Sequence, residues 1–298
     1  MEEEKEKAFF VLTRQEFALI GITFLWGTTF LIVHLAMRSS GPFFFVGFRF
    51  ILAGIFAGII FWRSLKNLGI HDIFAGTVIG IPIFFGYSLQ TAGLKTIASS
   101  QSAFITAVYV PLVPLLQWIV LRKKPRLTSF IGISFAFIGL LLVSGQGIHA
   151  IDFSKGEILT LLSAFAIASE IVFISFFAGR VDSRRVTVVQ LFVAGFLSFA
   201  AMPFNGETVP AFSWGWASAG LGLATMSALI QLTMNWAQRS VSPTRATIIY
   251  TGEPVWAGLV GWIAGERLPH LAILGAFCII VGILVSELKP KKRAMVQE

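Results

Sequence analysis

Ten apolar runs, each of about 20 residues and divided by short clusters of charge, limit what this chain can fold into. They cover roughly 17–37, 43–61, 73–93, 97–121, 129–144, 156–177, 188–203, 214–239, 244–264 and 271–286. As a helix, a run of that length crosses about 30 Å of hydrocarbon, whereas each strand of a membrane barrel would show about ten alternating residues. The expected fold class is an all-α polytopic membrane protein with ten transmembrane helices. Composition agrees, since only 13% of the 298 residues are charged, against about 25% in soluble domains. Ten spans use about 200 residues. What remains suffices for tails and loops and leaves no room for a domain that hydrolyses ATP.

Other classes fall away on the same grounds. Cys278, in an apolar run, is the one cysteine, which excludes an internal disulfide or a cysteine metal cluster. The start, Met1-Glu2-Glu3-Glu4-Lys5-Glu6-Lys7, is too acidic for a cleavable signal, so the first run is expected to be retained. His34, His71, His149 and His270 are scattered and form no ligand set. Gly220-Leu221-Gly222 lacks the third glycine and the strand context of a dinucleotide site.

Basic residues set the expected orientation. One side takes Lys5, Lys7, Arg14, Arg63, Lys66, Arg122, Lys123, Lys124 and Arg126 from the first half. From the second half it takes Arg180, Arg184, Arg185, Arg239, Arg245, Lys289, Lys291, Lys292 and Arg293. The other side holds only Arg38, Lys95, Lys155 and Arg267. The positive-inside rule then places both termini in the cytoplasm. The net charge of +8 is this topology signal and calls for no nucleic-acid partner. Trp62, Trp118 and Trp236 near inner ends, with Trp214, Trp216 and Trp262 near outer ends, fit interfacial belts. Trp26 and Trp256 lie deeper.

The chain also repeats. A shift of 143 residues lays Ser99 on Ser242, Ala103 on Ala246, Ile105 on Ile248, Pro111 on Pro254, Gly132 on Gly275 and Gly139 on Gly282. Five spans per half is an odd number, so the halves must enter the membrane from opposite sides. The expected organisation is a cytoplasmic tail (1–16), a first five-helix repeat (17–145), a linker loop (146–155), a second, inverted five-helix repeat (156–287) and a basic tail (288–298). In secondary transporters this arrangement provides two states, each open to one side, around a site near the midplane.

Polar side chains inside spans mark candidate pathway residues, because they are costly in hydrocarbon. Ser227, Gln231 and Asn235 follow at i, i+4 and i+8, and Ser102, Thr106 and Tyr109 at i, i+4 and i+7. Tyr87, Gln90 and Thr91 cluster in the third run; Thr247, Tyr250 and Thr251 precede Glu253 and Pro254 in the ninth. Ser163 and Glu170 share the sixth. A lone Ser or Thr is ordinarily an interhelical hydrogen bond, and the GxxxG sequences Gly54–Gly58 and Gly76–Gly80 ordinarily mark close packing. Gln231 with Asn235 offers more donors and acceptors than a helix contact consumes. For Glu170 and Glu253, structural bonding, pairing with a substrate amine and proton coupling stay open. Arg49, near an outer end, is expected to snorkel as a structural anchor.

Trp26-Gly27-Thr28-Thr29-Phe30 resembles the tryptophan-glycine signature of EamA-like members of the drug/metabolite transporter superfamily, as does Arg49. Glu253-Pro254 followed by Gly265-Glu266-Arg267-Leu268 resembles a second signature, and the Gly132–Gly139 and Gly275–Gly282 helices are similar too. In the first half Pro111 matches, while Lys123-Lys124 stands in place of the Gly-Glu pair. Within the superfamily the chain most resembles the YddG-type exporters of aromatic amino acids.

The resemblance implies a ten-helix exporter of the inner membrane that works by alternating access. The expected solutes are aromatic and other neutral amino acids, with broad specificity. Expected substrate-binding residues are Trp26, Thr28, Tyr87, Gln90, Ser102, Thr106, Tyr109, Glu170, Gln231, Asn235, Tyr250 and Glu253. Arg49, Pro111 and Pro254 are expected to be structural or hinge residues. No cofactor, metal or enzymatic activity is expected; the partners are the small-molecule substrate and membrane lipids, and a monomer suffices. Exporters of cationic or amphipathic drugs, or of nucleotide-sugars, are the alternatives on the same fold. An intramembrane lipid-handling enzyme is a third, disfavoured because the sequence shows no catalytic dyad.

Overall fold

The computed structural model describes residues 13–122, 124, 127–143, 153–267 and 269–287. The rest of the expected N-terminal tail, most of the linker (146–152), the tail 288–298, and Lys123, Pro125, Arg126, His149 and Leu268 lie outside the described residues. The first half contains α1 (Arg14–Ala36), α2 (Pro42–Ile60), α3 (Trp62–Leu65), α4 (Ile70–Gly93), α5 (Ser99–Thr106), α6 (Tyr109–Leu121) and α7 (Leu127–Val143). The second contains α8 (Lys155–Phe177), α9 (Ser183–Ala201), α10 (Trp214–Ala237), α11 (Pro243–Tyr250), α12 (Gly252–Ile263) and α13 (His270–Glu287). The described residues hold no strand. Seven helical segments among them, with α5 and α6 taken together, are long and apolar enough to cross a membrane; Phe130–Gly139 and His270–Gly282 are shorter apolar stretches.

Short polar side chains start these helices, as unpaired N–H groups at a helix end require. Thr13 accepts from the Glu16 backbone N–H, and the Glu16 carboxylate accepts from Thr13, forming a capping box that opens α1. It extends the helix into the segment expected to be tail. Ser154 and Glu157 build the same box at α8. The Asp182 carboxylate caps α9, so that helix begins at Ser183, earlier than the apolar run.

Two expected continuous helices are interrupted. Proline has no N–H to give the carbonyl four residues back and its ring crowds that carbonyl. Pro111 therefore cannot bond Ala107, and the turn at Ala107–Val108 separates α5 from α6. Pro254 cannot bond Tyr250, and α11 gives way to α12 at Thr251.

The principal packed pairs keep their pattern when the halves are exchanged. α1 lies on α10 and α12, and its counterpart α8 lies on α4 and α6. α2 on α10 corresponds to α4 on α9, while α2 on α9 and α7 on α13 map onto themselves. Contacts at helix ends follow the same exchange. The Arg245 guanidinium at the start of α11 pairs with Glu16 at the start of α1. The Gln101 amide near the start of α5 donates to Glu157 at the start of α8 (2.9 Å). Glycine is required where backbones touch. A β-carbon at Gly139 would lie 2.6 Å from the Gly275 carbonyl oxygen and 2.8 Å from the Ile279 backbone nitrogen, so α7 rests directly on the α13 backbone.

Burial is the reverse of a soluble protein's. Ile59, Phe74, Ile119, Phe196, Trp262 and Phe277 face outward, each more than half exposed, while Glu170, Gln190 and Gln231 are fully enclosed. An apolar perimeter around a polar interior suits a lipid surrounding. Two expectations need correction here. Trp216 is no belt residue: it packs edge-on against Phe44 and Phe48, and its indole N–H donates to the Ala211 carbonyl. Arg49 does not snorkel, because α2 is covered by α9 and α10 and the guanidinium is turned into the bundle, 2% exposed.

Candidate functional site

Aromatic side chains from both halves meet at the centre. Trp26 of α1 stacks on Tyr109 of α6 (ring centres 6.5 Å apart) and meets Tyr250 of α11 edge-on (5.7 Å). Trp26 can sit there because Gly27 has no side chain. A β-carbon at Gly27 would lie 2.7 Å from the Glu253 carbonyl oxygen, so α1 rests directly on the α12 backbone. The tryptophan-glycine and Glu-Pro segments, more than 200 residues apart in sequence, are thus one contact in space.

Polar groups run from this cluster through the second half. The Tyr109 hydroxyl donates to Glu253 Oε2 (3.0 Å). The Gln231 amide donates to Glu170 Oε1 (2.7 Å), and its carbonyl accepts from Gln190 Nε2 (2.7 Å). Asn235 Nδ2 donates to Gln190 Oε1 and Thr187 Oγ1 (both 3.1 Å), and to the Gln231 backbone carbonyl (2.9 Å). Gln238 donates to the Tyr250 hydroxyl (3.2 Å) and accepts from Ser175 (2.7 Å). On the other flank, Arg49 Nε donates to Ser227 Oγ (2.5 Å), and its guanidinium carbon lies 5.2 Å from the Tyr87 ring centre. Ser227 and Gln231 stand one turn apart on α10, which joins the flanks.

Among the described residues, four buried side-chain polar atoms make no hydrogen bond: Arg49 Nη2, Ser102 Oγ, Glu170 Oε2 and Glu253 Oε1. Buried polar groups are normally paired. Three of these atoms belong to charge-bearing side chains.

The structure thus brings together Trp26, Tyr87, Tyr109, Glu170, Gln231, Asn235, Tyr250 and Glu253. Gln90 donates to Thr106 (3.1 Å), which ties α4 to α5. Thr28 is half-buried and donates to Leu25 in its own helix. Sequence reasoning missed Gln190, which bonds both Gln231 and Asn235, and Thr187, which accepts from Asn235. A signal was present: Thr187, Gln190, Ala194 and Ser198 fall on one face of α9, and all four are buried. Among the described residues no group of three or more His, Cys, Asp or Glu comes together to hold a metal.

Outside the spans, Glu266 holds the start of α5. Its carboxylate accepts from the Ser99 backbone and hydroxyl (2.9 and 2.7 Å) and from the Ser100 backbone and hydroxyl (3.0 and 2.5 Å). Partial burial pushes this carboxyl up, but the hydrogen bonds from Ser100 and Ser99 outweigh it and hold it below the usual glutamate value. The Gly-Glu pair therefore acts as a cap supplied by one half to a helix of the other.

Fold and buried site together define a polytopic membrane protein with a polar centre. Comparison with known proteins gives the family. A profile described as the EamA-like transporter family matches residues 13–145 and again 154–288, and the chain belongs to that family. It is 29% identical over 272 residues to an uncharacterized transporter of Archaeoglobus fulgidus, covering 90% of this chain and 84% of the relative. It is 26% identical over 287 residues to the uncharacterized inner membrane transporter YedA of Escherichia coli, covering 90% and 89%. A solved crystal structure shares the fold at a TM-score of 0.67 and 16% identity, covering 92% of this chain and 97% of that one. A multi-pass membrane protein with a transport role is the class these findings define.

Proposed function

We propose that this chain is a ten-span secondary transporter of the inner membrane, built of two inverted five-helix repeats with both termini in the cytoplasm. By alternating access it exports neutral amino acids, aromatic ones among them. In this account α7 and α13 are the fifth and tenth spans, and α11 with α12 forms the ninth. The observation that carries the proposal is the closed centre, where aromatic rings from both halves and hydrogen-bonded polar side chains are sealed from solvent. Exchangeable packing supports it, since two equivalent halves can rock about a shared site into two states of similar energy. Trp26, Tyr87, Tyr109 and Tyr250 offer rings on which an aromatic solute can stack. Purified protein in liposomes should carry labelled phenylalanine and tryptophan faster than protein-free liposomes; equal rates would contradict the proposal.

A second substrate class, cationic amphipathic drugs, is favoured by one observation. Glu170 and Glu253 each keep an unpartnered carboxyl oxygen, and Glu253 is bonded to the Tyr109 hydroxyl. If they read a cation, Glu170→Gln or Glu253→Gln should abolish drug flux while phenylalanine flux persists. Loss of both fluxes together would favour a single amino-acid pathway.

A further inference from the structure

We propose that Arg49 docks the carboxylate of the transported solute; this deepens the amino-acid proposal above and rests on it. Arg49 is the buried cation among the described residues, and its surroundings leave it incompletely matched. Its Nε is bonded to Ser227. The guanidinium carbon lies 5.4 Å from the Phe50 ring centre and 5.2 Å from that of Tyr87, within cation–π range. Yet Nη2 has no hydrogen-bond partner. The ion pairs among the described residues are Asp72–Arg185 and Glu16–Arg245, and neither involves Arg49. A guanidinium enclosed without a carboxylate is costly, and its planar fork is shaped to take one.

The complementary charge is close by. Ser227, which accepts from Arg49 Nε, stands one turn from Gln231 on α10, Gln231 donates to Glu170, and Glu170 carries an unpartnered carboxyl oxygen. A solute with an anionic and a cationic end would satisfy Nη2 at one end and a glutamate oxygen at the other. An amine lacking the carboxylate would leave Arg49 unpaired. A site built for a charged group discriminates against an analogue lacking it far more strongly than an apolar pocket discriminates by shape. The amides of Gln231 and Asn235, by contrast, are already engaged within the protein.

The test uses full-length protein in liposomes and three labelled solutes with one skeleton: phenylalanine, phenethylamine and 3-phenylpropanoate. Wild-type protein should favour phenylalanine over phenethylamine by roughly tenfold or more in kcat/KM, an order of magnitude expected for a pairing lost inside a site. Arg49→Gln should bring the two solutes to near equality, through a raised KM for phenylalanine with phenethylamine flux retained. Arg49→Lys should restore part of the preference. Ser227→Ala keeps the cation and removes the bond that orients it. It should raise KM for phenylalanine alone, and it decides the matter if Arg49→Gln fails to fold.

Equal losses for both solutes in these variants would overturn docking by Arg49 and leave the amino-acid proposal standing. Wild-type transport of 3-phenylpropanoate without phenylalanine would support Arg49 and overturn amino-acid export. Transport of phenethylamine alone would overturn both. So would an absence of flux accompanied by no thermal stabilisation from either carboxylate-bearing solute.

Discussion

Gln231 is held at both ends of its amide, by Glu170 at the nitrogen and Gln190 at the oxygen, so its removal strands two enclosed polar groups. Each group left unsatisfied costs about 1–3 kcal/mol. Gln231→Ala should therefore lower the unfolding temperature in detergent as well as the flux. Ser102 is the contrasting case, because its hydroxyl is fully buried and unpartnered. Ser102→Ala should leave the unfolding temperature unchanged, and a loss comparable to that of Gln231→Ala would show that the assignment of partners is wrong. The amide stripe of α10 was legible in the sequence from its i, i+4 spacing. What the amides hold was not, because Gln190 and Glu170 stand on other helices, 41 and 61 residues away. The depth of Arg49 was misread for a related reason. Distance from a helix end suggests a route to the interface, and only packing shows that α9 and α10 close it.

Helix ends and crossings decide how the elements fit. Gly27→Ala should push α1 from the α12 backbone, since the added carbon meets main-chain atoms that cannot rotate away. Overpacking of this kind costs about 1–3 kcal/mol; an unfolding curve superimposable on wild type would contradict the contact. Glu266 makes a prediction about pH. Its folded-state carboxyl is held below the usual value, so the stabilisation is present above the ordinary carboxylate range and is lost as pH falls through the folded value. The difference in unfolding temperature between wild type and Glu266→Gln should shrink on acidification through that window. A constant difference would mean that the charge on Glu266 does not hold α5. The Glu-Pro and Gly-Glu segments stand out in sequence, and Pro111 and Pro254 mark where helices break. The partner of Gly-Glu does not stand out, because Ser99 and Ser100 precede it by 167 and 166 residues.

At the scale of the whole molecule, the expected five spans per half and a shift of 143 residues suggest two related halves; in the fold, α1 lies on α10 and α12 as α8 lies on α4 and α6. Which helix of one half lies on which of the other could not be read from periodicity, because apolar faces against lipid and against protein look alike in composition. The central claim is that the enclosed centre opens to each side in turn, and one measurement tests it most directly. A single cysteine would replace Ser102 in a Cys278→Ser background, reconstituted in one orientation and challenged with a membrane-impermeant thiol reagent from either face. The account predicts reaction from both faces, slowed by saturating phenylalanine. Reaction from one face only, in protein that still transports, would contradict it.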